Sequence, residues 1–241
     1  MPPDKPNPRE ILNEAESDAA AGRYADALAK HVWFHENALK YEPGMYGVRL
    51  SFALGAWKSL AERYPAAREK LEAIRDEAAA EVRKKDADRE TFHYFHDFAA
   101  ISDVLGEPNR TRDLFVWLDS NRPSLAREVF EVAQPSLIKL KEYRLCGKYL
   151  DPNRSFEQIL QLYKETRRIA SEPQFKAGEM ESFADTMFSN STRTLVALLV
   201  LNGRKEDAER VAEQARREWT DTAFRDQLEK ALGGLVPEPW P

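Results

Sequence analysis

Along most of this chain, apolar residues recur three and four positions apart, the spacing that places them on one face of an α-helix. Over 45–63 the series is Leu50, Leu54, Trp57, Ala61 and Tyr64, and over the next segment it is Leu71, Ile74 and Ala78. Glycine and proline punctuate this pattern at Gly22, Glu42-Pro43-Gly44, Pro65, Gly106-Glu107-Pro108, Asp151-Pro152-Asn153, Glu172-Pro173, Gly203 and Gly233-Gly234. Between these breaks the spacing predicts about eleven helices. They cover 9–21, 24–41, 45–63, 65 to the charged stretch 83–89, 88–105, 109–120, 125–150 (kinked or split at Pro135), 156–170, 177–201 (with an irregularity at 189–191), 205–219 and 222–232. Very short connections make consecutive helices antiparallel neighbours. One helical domain over 9–234 is expected, between an extended segment 1–8 and an extended, proline-rich tail 235–241.

Composition strengthens the all-α reading. The chain has 31 Ala but only 11 Val, 6 Ile and 8 Thr, a poor alphabet for sheets, where β-branched residues pack best. Twelve Phe, eight Tyr and five Trp supply enough apolar area for a real core. A net charge of −5 argues against a nucleic-acid binder, which needs a basic stripe to displace counterions. The longest apolar run, 195–201, is far short of the about 20 residues that span a bilayer. Residues 1–10 carry four prolines and no apolar run, and Cys146 is the single cysteine, so a reducing, cytoplasmic setting is expected. The glycosylation-type triplets at Asn153 and Asn190 carry no weight in that setting.

The strongest local motif is Gly22-Arg23-Tyr24-Ala25-Asp26-Ala27-Leu28: a turn glycine, an aromatic two residues on, and small residues where two helices meet. It recurs as Gly203-Arg204-Lys205-Glu206-Asp207-Ala208, followed by Ala212 and Ala215, with further equivalent turns at 64–67 and Gly106. These residues resemble the tetratricopeptide repeat family, here divergent and with repeats longer than the standard length of about 34 residues. The resemblance implies a right-handed α-solenoid of about five antiparallel helix hairpins with a C-terminal capping helix. It also implies a concave groove that binds proteins or peptides.

Candidate chemistry is sparse. The four histidines form two pairs, His31 with His35 and His93 with His96, each on one helix face. Either pair could begin a metal site, beside Glu36 or Asp97. The segment from His31 to His35 lacks the internal glutamate of zincin motifs, however, and in a hairpin stack the two pairs should not meet. A groove register implied by the resemblance exposes Arg49, Phe52 and Ser59 on one helix, His93, His96 and Asp103 on another, and Asn190 and Arg193 on a third. Such a surface suits an acidic segment or a carboxylate. Trp57, Trp117 and Trp219 lie on apolar faces and are expected in the core, whereas Trp240 in the tail either docks or stays free. No phosphate loop, nucleophile elbow, cysteine metal motif or cofactor signature is present, and Cys146 has no histidine partner in sequence. The expectation is therefore a non-enzymatic interaction module for a protein or peptide partner. The alternative is a metal- or small-ligand site at a histidine pair.

Overall fold

The computed structural model describes residues 5–84, 89–171 and 178–239. Its regular structure is helical throughout the described residues. The helices are α1 (Pro8–Ala20), α2 (Tyr24–Tyr41), α3 (Tyr46–Leu50), α4 (Phe52–Ala61), α5 (Pro65–Lys84), α6 (Arg89–Val104) and α7 (Pro108–Asn121). They continue with α8 (Pro123–Lys139), α9 (Tyr143–Gly147), α10 (Pro152–Ala170), α11 (Glu179–Leu201), α12 (Lys205–Glu218) and α13 (Thr222–Leu232), and a short 3-10 turn, Pro43–Met45, precedes α3. None of these helices is long and apolar enough to cross a membrane.

One turn geometry recurs. At Gly22, Gly106 and Gly203 the backbone takes φ of +77°, +74° and +75°. Each glycine N–H donates to the carbonyl three residues back, and the next N–H donates to the carbonyl five back. This pair of bonds satisfies the orphan carbonyls of a helix end and needs a left-handed residue, which glycine supplies without a Cβ penalty. The same bonds form at Lys141, a non-glycine at φ 58°. After each turn the residues five and nine positions on are buried: Ala27 and His31, Thr111 and Phe115, Cys146 and Leu150, Ala208 and Ala212. The alanines of the Gly-Arg motif thus stand where two helices touch.

Four features of the helices differ from expectation. The helix foreseen over 45–63 is broken at Ser51 (φ −127°, ψ −89°), whose hydroxyl donates to the Gly47 carbonyl at 2.7 Å in competition with the helix ladder. Pro135 does not split the helix foreseen over 125–150; α8 runs through it and ends at the Lys141 turn. No irregularity interrupts α11 at 189–191. Proline also opens α10 one turn earlier than expected: Pro152 occupies its first position and Asp151 caps it by accepting from the Arg154 N–H at 3.1 Å.

The chain forms two compact units, Met1–Val132 and Ala133–Pro241. In the first, α1 packs on α2 and α5 on α6. Its core holds Leu54, Trp57, Leu60, Leu71 and Ile101 in one cluster and Leu12, Phe34, Ala38, Met45 and Ala53 in another. In the second, α11 is the central element, packed by α9, α10, α12 and α13. Its core is aromatic, with Phe188 beside Phe156, Tyr163, Trp219 and Phe224. Gly147 lets α9 approach α11, since a Cβ there would lie 2.1 Å from the Asn202 Oδ1.

Candidate functional site

All four histidines lie in the first unit, where His93 and His96 meet at one tyrosine and His35 approaches Asp97. Tyr46 on α3 places its hydroxyl 3.1 Å from His93 Nδ1 and 2.9 Å from His96 Nδ1. One hydroxyl has one proton, so it donates to one imidazole and accepts from the N–H of the other. One turn past His93, Asp97 receives a two-pronged contact from Arg49, at 2.6 and 2.8 Å. Across from it stands His35 of α2, its Nε2 3.9 Å from Asp97. α2 and α6, expected to stand a hairpin apart, thus approach through His35 and Asp97. α2 and α6 each pack against α3 or α4, and the Arg49–Asp97 pair lies where they close in.

This cluster is built for the interior. Arg49, expected to be exposed on a groove, is buried and bound to Asp97. Burial lifts the Asp97 carboxyl to about 6 against the opposing pull of Arg49, so the pair is ionic at neutral pH. Burial drives the His31 imidazole down to about 4, and burial, aided by Arg49 and Lys70, drives His35 to about 3. Both rings are neutral at pH 7, and the 3.9 Å approach of His35 to Asp97 is no ion pair. His31 stacks on Trp57 at 5.7 Å, and both its ring nitrogens are buried without a hydrogen-bond partner. It acts as a flat apolar plate at a core position of the Gly22 hairpin. Trp57 itself is in the core as expected, donating its indole N–H to the Ala67 carbonyl at 3.0 Å.

The remaining predicted residues of this unit do not join the cluster. Phe52 is 79% exposed at the start of α4. Ser59 is exposed, with its hydroxyl turned back to the Gly55 carbonyl at 3.2 Å, and Asp103 is exposed near the end of α6. Among the described residues no group of three His, Cys, Asp or Glu side chains is placed to hold a metal ion. Cys146 is fully buried and its thiol is pushed up to about 12, which leaves no thiolate for nucleophilic chemistry.

Asn190 and Arg193 lie in the second unit, and there they share a pocket of about 560 Å³ with Glu181, Asp185, Ser189, Trp219 and Gln227. Glu181, Asp185, Ser189 and Arg193 follow one another every fourth residue along α11, a row that winds about a third of a turn round the helix from its first member to its last. The start of α13 closes the other side, with Asp221 accepting from the Phe224 N–H at 2.8 Å. Trp219, expected in the core, is half-buried and forms the aromatic wall, stacked on Phe224 at 4.8 Å.

The charges in this pocket are unequally committed. Tyr163 donates to Asp185 at 3.1 Å, and Arg167 pairs with the same carboxylate at 3.2 Å. Arg193 donates to the Gln227 Oε1 at 3.0 Å, an oxygen that also accepts from the Ser189 hydroxyl at 3.2 Å. Gln227 is neutral, so the positive charge of Arg193 is uncompensated by any carboxylate among the described residues. Its buried Nε lacks an acceptor. Asn190 donates to the Glu238 carbonyl at 2.9 Å, which ties the tail to α11; Trp240 lies outside the described residues.

Local sequence pattern marks Asn190 and Arg193 but not Trp219 or Gln227, which reach the pocket only through the turn between α12 and α13. Tyr46 likewise carries no motif, and Asp97 is visible only as a neighbour of His96. Comparisons with protein-family models, with curated proteins and with solved structures found no match.

Proposed function

We propose that this chain is a non-catalytic recognition protein. In this proposal its units are stacked helix hairpins in the manner of tetratricopeptide repeats, and it binds an acidic group of a protein or peptide partner in the pocket of α11, α12 and α13. The observation that carries the reading is Arg193: a half-buried guanidinium lining a pocket, with a buried Nε–H that lacks an acceptor and no carboxylate partner among the described residues. A guanidinium stays ionised even when burial lowers its pKa, as it does here. Keeping such a charge unpaired is costly, and a bound carboxylate would relieve that cost. The planar donor set of Arg193 suits a carboxylate better than a simple ammonium would. Trp219 offers an apolar plate for the residue beside the acid.

The test is calorimetric titration with the blocked peptide acetyl-Gly-Phe-Asp-Gly-amide. Binding to the native chain is expected, and Arg193→Gln should weaken it at least about tenfold, the loss of one charge-assisted hydrogen bond. Unchanged affinity in a folded Arg193→Gln variant would refute the reading. The alternative of a metal at a histidine pair is less well supported, because no group of three His, Cys, Asp or Glu side chains among the described residues is placed to hold an ion.

A further inference from the structure

The α11 face that holds Arg193 is bipolar, and this has a consequence for the partner. Three carboxylates border the pocket, but two are already engaged: Asp185 by Arg167 and Tyr163, and Asp221 as the cap of α13. Glu181 is exposed at the pocket's far end, and no described cation pairs with it. It stands twelve residues before Arg193, about 18 Å along the axis at the helical rise and about a third of a turn around it. Spanning that offset takes about six residues of extended chain, and an even spacing keeps both side chains on one face of the segment. Between the two ends lie Ser182, whose hydroxyl can meet a backbone amide, and the aromatic plate of Trp219.

We infer that the ligand of this pocket is an extended peptide segment with a basic side chain about six residues from its acidic one, the acid on Arg193 and the base on Glu181. The inference rests on the proposed acid-binding role of Arg193 and adds the second contact and the spacing. Glu181 is solvent-exposed, so its contribution is that of a screened ion pair.

Four blocked peptides labelled with a fluorophore test it by fluorescence polarisation. One carries Asp alone, with norleucine in place of Lys. Two carry Lys six residues from Asp, one before it and one after it. The fourth carries Lys adjacent to Asp. One of the six-spaced peptides is expected to bind about threefold to fivefold tighter than the Asp-only peptide. That gain should vanish in Glu181→Gln, while Arg193-dependent binding of the Asp-only peptide is retained. The inference is overturned if neither six-spaced peptide gains, if the adjacent peptide gains equally, or if the gain survives Glu181→Gln. The acid-binding reading stands in each of these cases as long as Asp-only binding depends on Arg193. If no peptide binds in an Arg193-dependent way, both fail together.

Discussion

His31 shows how context sets the role of a residue. An imidazole has two polar nitrogens, yet here both are buried without partners, and the ring's contribution is its flat stack on Trp57. The imidazole is held to about 4 in the fold, against an ordinary 6.5. The unfolded chain therefore takes up the proton first as pH falls. Stability from this group is present in full above pH 6.5 and is lost as pH drops toward 4. Asp97 has the opposite sign: its folded value of about 6 lies above the ordinary 3.8, so it favours the fold as pH falls through 6. Replacing His31 by Phe keeps the plate and removes the titration. Urea unfolding at pH 7 and pH 4.5 should show the native chain losing about 2 kcal/mol more than His31→Phe over that interval. Equal losses would show that His31 is not held neutral by the fold.

At the level of elements, the recurring left-handed turn does most of the organising. Four of its occurrences carry glycine, at Gly22, Gly106, Gly203 and Gly234, and their hydrogen bonds match those at Lys141 bond for bond. A left-handed lysine costs about 1–2 kcal/mol relative to a helical one, which glycine avoids at some cost in unfolded-chain entropy. Lys141→Gly should therefore raise stability by about 0.5–1 kcal/mol in denaturant unfolding. A loss of stability would mean that the Lys141 side chain contributes contacts outweighing its backbone strain. The glycine turns were legible because glycine announces them. The Lys141 turn was hidden because nothing in its side chain signals a positive φ, and Pro135, the more conspicuous residue, drew the expected break six positions too early. The break at Ser51 was hidden for a similar reason, since a serine bonded back to Gly47 leaves the apolar spacing around it intact. In the same way, the histidine pairs were visible as pairs. The meeting of His93 and His96 at Tyr46, and of Arg49 with Asp97 beside His35, depends on contacts between residues 47 to 50 positions apart, which periodicity does not encode.

Across the whole molecule, the charge balance defines what recognition must overcome. A net charge of −5 repels an acidic partner at long range, and salt screens that repulsion beyond about 10 Å. In the proposed reading, recognition of an acid rests on a short-range, partly desolvated contact, for which the second unit offers Arg193. Arg49, which had the same apparent promise in the sequence, is instead bound to Asp97 inside the first unit. The difference is one of partner: the guanidinium of Arg49 meets a carboxylate, whereas that of Arg193 meets the neutral amide of Gln227. The Nε–H of Arg193 is the group left over, and it reports the central claim most directly. In a ¹⁵N-arginine spectrum of the native chain, assigned by comparison with Arg193→Gln, titration with acetyl-Gly-Phe-Asp-Gly-amide should shift that one Nε–H resonance saturably. A resonance that stays in place while the peptide binds elsewhere, or a peptide that does not bind at all, would contradict the account.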